Sequence, residues 1–99
     1  MEIQQTTNGN KELITLTGRL DTATSPKLQP VLTSAIETSE QIVLDFAAVD
    51  YVSSAGLRVL LQGQKIAQAS GKSMALRNVS PEVMEVFDIT GFSGILTII

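Results

Sequence analysis

The chain contains no cysteine, no histidine and no tryptophan. Without Cys there are no disulfides, no thiol nucleophile and none of the Cys/His sets that hold structural zinc. Without His the commonest general acid–base near neutral pH is missing as well. A catalytic or metal site would have to be built from carboxylates alone, and no motif points to one. Aromatic residues make up only 4% of the chain, which leaves packing to Leu, Ile, Val and Ala. Cations are also scarce: seven Lys and Arg stand scattered against ten Asp and Glu, for a formal net charge of -3. That disfavours a nucleic-acid partner, since such binders cluster cations against phosphates. No apolar run approaches the roughly 20 residues that cross a bilayer. The start, MEIQQTTNGNKEL, lacks the basic stretch and apolar run of a secretory signal. The expectation is a soluble cytoplasmic protein with no membrane insertion.

What is present suits one packed domain spanning residues 1–99, with 43% apolar and 17% charged residues. Residues 2–6 read as a short strand, Asn8-Gly9 as a hairpin turn, and ELITLT (12–17) as a second strand, with Gly18 as punctuation. Leu28, Val31, Leu32, Ala35 and Ile36 form the stripe of an amphipathic helix. Asp21, Thr22, Thr24 and Ser25 offer capping oxygens before it, and Pro26 suits its first turn. Pro30 predicts an irregular or kinked start. QIVLDF (41–46) has the continuous apolar character of a central strand. After a short link, LRVLLQGQKIAQA reads as a second, well-buried helix. SMALRN (73–78) reads as a strand, Ser80-Pro81-Glu82 as a helix start ending at Thr90-Gly91, and ILTII as a last strand. The order β-β-α-β-α-β-α-β predicts a single α/β domain, a mixed sheet with helices mainly on one face.

The stretch DYVSSAGLRVLL (50–61) places two serines where strand gives way to helix. Ser54 is suited to be the N-cap or first helical residue, and the first N–H groups of the helix have no partner within it. Ala55 and Gly56 are small enough to let an oxyanion approach the backbone. The spacing fits a bare serine cap, the usual case, which contributes roughly 1 kcal/mol, and it also fits a serine that carries a phosphate. A catalytic serine is disfavoured, because no His is present and VSSAG lacks the first glycine of the hydrolase elbow. No phosphate-binding loop motif is present either.

LTGRLD (16–21), IVLDF (42–46), VSSAGLRVLL (52–61) and VFDITGF (86–92) occur in an order and spacing that resemble the STAS family, specifically the bacterial anti-sigma factor antagonists. The resemblance covers essentially the whole chain. It implies a partner that is both an anti-sigma factor and a serine kinase, a phosphoacceptor at Ser54, and a phosphatase that resets the switch. No cofactor belongs to the chain itself, since the kinase supplies ATP and Mg²⁺. Two positions depart from the best-studied relatives: Ser53 stands where an acid is frequent, and Ala55 where a hydroxyl is frequent.

On this reading Asp21, Thr22, Ser53, Ala55, Gly56, Leu57 and Arg58 form the surroundings of the phosphosite and the partner surface. Leu57 is expected mainly in the core. Asp21 and Asp45 are expected as acids near Ser54. Phosphorylation would add about -1.5 to -2 charges there and expel the partner by local electrostatics. The competing reading is a constitutive STAS interaction module of a transporter or signalling complex, without phosphorylation. A small enzyme or nucleotide binder is the third, disfavoured by the missing His, Cys and Gly-rich loop.

Overall fold

The computed structural model describes all residues 1–99. Polar alternation and a tight turn begin it. β1 (Glu2–Asn8) and β2 (Lys11–Leu20) form an antiparallel hairpin whose two central residues are Gly9 and Asn10. Gly9 has φ +63°, the positive value that a two-residue hairpin needs at its first central position. Then come α1 (Ser25–Thr38), β3 (Gln41–Val52), α2 (Ser54–Ala69), β4 (Ser73–Arg77) and α3 (Pro81–Thr90). The sheet order is β1-β2-β3-β4, with β3 parallel to both neighbours. It is the mixed sheet expected. Helices α1, α2 and α3 share one buried cluster with Ile14, Leu16, Leu44, Phe46 and Leu76, so all three cover the same face. The rings of Phe46 and Phe87 meet edge to face at 6.3 Å and fix α3 to the sheet. No helix is long and apolar enough to cross a membrane.

Four features differ from the sequence reading. β3 does not stop at Phe46 but runs to Val52, and β2 runs through Gly18 to Leu20. The reason is two register shifts, between Thr15 and Thr17 and between Gly18 and Arg19, each giving β3 one extra residue. These bulges turn the period-two pattern of Ile42, Leu44 and Phe46 into a period of three. Phe46, Val49 and Val52 are all buried as a result. Next, α1 continues unbroken through Pro30. Irregularity is confined to its entry, where the Lys27 N–H reaches back three residues to the Thr24 carbonyl at 2.9 Å. Pro30 is exposed, so the carbonyl it cannot serve lies within reach of water.

Finally, ILTII adds no full strand. Left-handed Gly91 and a 3₁₀ turn at Phe92–Gly94 use up the approach, and Ile95 is helical in backbone. Only a single parallel bridge between Leu76 and Ile98 remains at the β4 edge.

Two glycines of α2 set how closely it packs. A Cβ on Gly56 would lie 2.8 Å from Leu20 Cγ and 2.9 Å from the Leu20 carbonyl oxygen. A Cβ on Gly63 would meet the Leu32 Cδ2 methyl at 2.5 Å. The first obstacle is backbone and the second is a side-chain tip. Gly56→Ala is therefore expected to cost about 1–3 kcal/mol, despite a helix-propensity gain of up to ~1 kcal/mol. Gly63→Ala should cost clearly less. Urea midpoints of the two variants check this, and equal losses would contradict it.

Candidate functional site

β2 and β3 end side by side, with Leu20 opposite Val52, and each strand then turns into a helix. Two capping sites are thereby brought together at one end of the molecule. At the second, Ser53 is the N-cap of α2 in extended backbone. Its hydroxyl accepts from the Gly56 N–H at 3.3 Å, and its own N–H donates to the Leu20 carbonyl at 2.9 Å. Ser54 is consequently the first helical residue. It is exposed, and its hydroxyl bonds to nothing else in the chain. The N–H groups of Ser54 and Ala55 also find no acceptor, so the positive end of a 16-residue helix is open to solvent around that hydroxyl.

The other capping site is the turn between β2 and α1. Asp21 Oδ1 accepts from the N–H groups of Ala23 and Thr24, both at 3.0 Å. The Thr24 hydroxyl replies by accepting the Asp21 N–H at 2.9 Å and donating to the Arg19 carbonyl at 2.6 Å. Thr24 occupies the N-cap of α1, but its side chain is spent on this turn and not on the helix. The Thr24 N–H holds the Asp21 carboxyl below the ordinary carboxylate range. That bond outweighs an opposing loss of hydration, with the Thr24 hydroxyl, the Ala23 N–H and Arg19 adding to it. Arg19 Nε lies 3.8 Å from Asp21 Oδ2, and its guanidinium sits 4.0 Å from the centre of the Tyr51 ring.

Thr22, Ala55 and Arg58 line one hollow between the starts of α1 and α2, beside Ser25, Pro26 and Gln29. Asp21 precedes Thr22, and Ser53 and Ser54 precede Ala55, in the two turns that the Ser53 N–H bond to the Leu20 carbonyl holds together. Gly56 is buried beneath, and Leu57 belongs to the core, 8% exposed. The grouping of these eight residues in sequence is thus a grouping in space, with Leu57 as its underside.

Asp45 is not part of it. Because β3 continues to Val52, Asp45 lies in mid-strand, on the order of 20 Å along the strand from that end. It sits opposite Thr15 and Arg77. Its carboxylate accepts from Arg77 Nε at 3.0 Å, from the Ala47 N–H at 2.9 Å and from Asn78 Nδ2 at 3.3 Å. Burial, the largest influence, pushes the Asp45 carboxyl up. The Ala47, Arg77 and Asn78 bonds together outweigh it and leave the carboxyl below the ordinary range. Arg19 and Tyr51, which do border the site, were not singled out from sequence; their pairing depends on the second bulge. No group of three or more acidic side chains comes together to hold a metal ion.

A family model described as "Mlab, STAS domain" matches residues 3–97. The chain belongs to the STAS domain family, and within it to the anti-sigma factor antagonist type. BtrV of Bordetella bronchiseptica is 38% identical over 85 residues, covering 84% of this chain and 72% of BtrV. The anti-sigma-B factor antagonist of Bacillus subtilis is 30% identical over 91 residues, covering 92% of this chain and 84% of that protein. Among solved structures, unphosphorylated SpoIIAA, an anti-sigma factor antagonist, superposes with a TM-score of 0.83 at 22% identity. That match covers 99% of this chain and 88% of SpoIIAA, and it speaks for the fold.

The two depressed carboxyls give this STAS domain a defined acid response. Both stabilise the fold above the unfolded value near 3.9, and that stabilisation is lost as pH falls through the lower folded values. Unfolding free energy from urea titrations is expected to stay level from pH 7 to about 5 and to fall below about 4. Asp45→Asn should lower the level part and flatten the fall. An unchanged acid limb in that variant would contradict the role given to Asp45.

Proposed function

We propose that the chain is an anti-sigma factor antagonist controlled at Ser54. It binds an anti-sigma factor that is also a serine kinase, and phosphorylation of Ser54 ends the binding. A phosphatase restores it. The observation that carries this reading is the contrast between neighbouring serines: Ser53 has its hydroxyl committed as the α2 cap, while the Ser54 hydroxyl is exposed and uncommitted. A kinase can reach Ser54 without undoing the cap. Relatives from Bacillus subtilis and Paenibacillus polymyxa that are named anti-sigma-B and anti-sigma F factor antagonists support the partner class.

The physics of the switch is local. A phosphate on Ser54 adds about -1.5 to -2 charges at a helix start whose first N–H groups are free to receive it. Arg58 stands four residues on, one turn along the same helix, as a second counter-charge. The domain therefore tolerates the modification. A partner packed over Thr22, Ala55 and Arg58 does not, because it would have to desolvate a dianion against Asp21 nearby.

Ser54→Ala is expected to leave affinity for the anti-sigma factor within about twofold, and Ser54→Asp to weaken it at least tenfold, ~1.4 kcal/mol. Both variants should keep the wild-type melting temperature. Titration calorimetry and circular dichroism check these outcomes. Equal binding by wild type and Ser54→Asp would instead indicate a constitutive interaction module.

A further inference from the structure

A groove between α1 and α2 leads away from the Ser54 site. It consists of two adjoining hollows of about 250 and 390 Å³ that share Gln29, Val59 and Gln62. From Ala55 to Ile66 it follows twelve residues of α2, about 16 Å at 1.5 Å per step, or three helical turns. Its floor is apolar, formed by Leu32 and Val59, and the exposed Gln29 Nε2 donates to Gln62 Oε1 at 3.4 Å across it where the two hollows meet. Ile66 at the far end is 40% exposed, one of few large apolar side chains left so open.

The charge along this groove runs against that of the molecule. The chain has ten acids, yet none lines either hollow, and α2 contains no acidic residue. Its only charged linings are Arg58 and Lys65, both exposed and neither in an ion pair. The walls are helix side chains and offer no free strand edge for an extended peptide to pair with. A helix with an apolar stripe and flanking carboxylates fits such a surface.

We propose that this groove docks an acidic amphipathic helix of the anti-sigma factor, about three turns long. The partner's apolar stripe lies on Val59 and Ile66, and its carboxylates face Arg58 and Lys65. The inference rests on the function proposed above and extends the contact surface well beyond Ser54. It also gives the switch a second lever. A phosphate on Ser54 competes for Arg58 at the spacing of a helical i, i+4 pair and so removes a cation from the groove.

The test measures binding of the full-length anti-sigma factor kinase of the same organism to wild type, Lys65→Glu, Ile66→Asp and, as a control on α3, Ile89→Asp. Both groove variants are expected to lose at least tenfold in affinity, with Ile89→Asp within twofold, and the wild-type affinity should fall with added salt more steeply than that of Lys65→Glu. Circular dichroism reports folding; if Ile66→Asp is unfolded, the exposed Lys65→Glu decides. Unchanged affinity in the groove variants, with Ser54→Asp still weakened, would overturn the groove and leave the function standing. No complex with wild type, and no phosphate on Ser54, would remove the function and the groove with it. A concentration-dependent dimer of the chain alone, abolished by Lys65→Glu in sedimentation, would assign the groove to a second copy and overturn the proposal.

Discussion

The close approach of Gly56 to the Leu20 carbonyl is the contact on which the rest depends. With no side chain at position 56, α2 begins directly against the end of β2. The same carbonyl then accepts the Ser53 N–H at 2.9 Å. One oxygen thus fixes the cap residue, and the cap fixes which serine faces out. A side chain at position 56 would push the helix start away from the strand end and separate the two capping turns that make up the site.

From that contact the electrostatics follow. Ser53 satisfies one of the orphan donors of α2, and the N–H groups before Gly56 stay open beside the Ser54 hydroxyl. The neighbouring turn keeps Asp21 ionised through its bonds with Thr24 and Ala23. A fixed negative charge and an open positive helix end therefore lie close together, with Arg58 and Thr22 at the mouth of the groove. Such a surface suits a neutral hydroxyl at a protein contact and responds strongly when that hydroxyl becomes an anion.

Much of this was legible in the residues. Ser80-Pro81 and Gly91 bound α3 as read, because caps and prolines act locally and leave a fixed signature. The VSSAGL stretch gave the start of α2 and its exposed serine for the same reason. The end of β3 was not legible. Two bulges replace alternation with the three-residue spacing of Phe46, Val49 and Val52, and a bulge depends on the partner strand, which the local pattern does not contain. Asp45 was misplaced by the same cause, since ending the strand at Phe46 puts that acid at its tip. The Arg19–Tyr51 stack and the α1–α2 groove join residues far apart in the chain and emerge only from packing. ILTII carried strand propensity, but a left-handed glycine and a 3₁₀ turn decided its path.

The most direct measurement is site-resolved mass spectrometry of the chain after incubation with the proposed anti-sigma factor kinase, ATP and Mg²⁺. One added phosphate is expected, located on Ser54, with Ser53 unmodified because its hydroxyl is held in the cap. A phosphate on Ser53, or none while the two proteins still bind, would contradict that expectation.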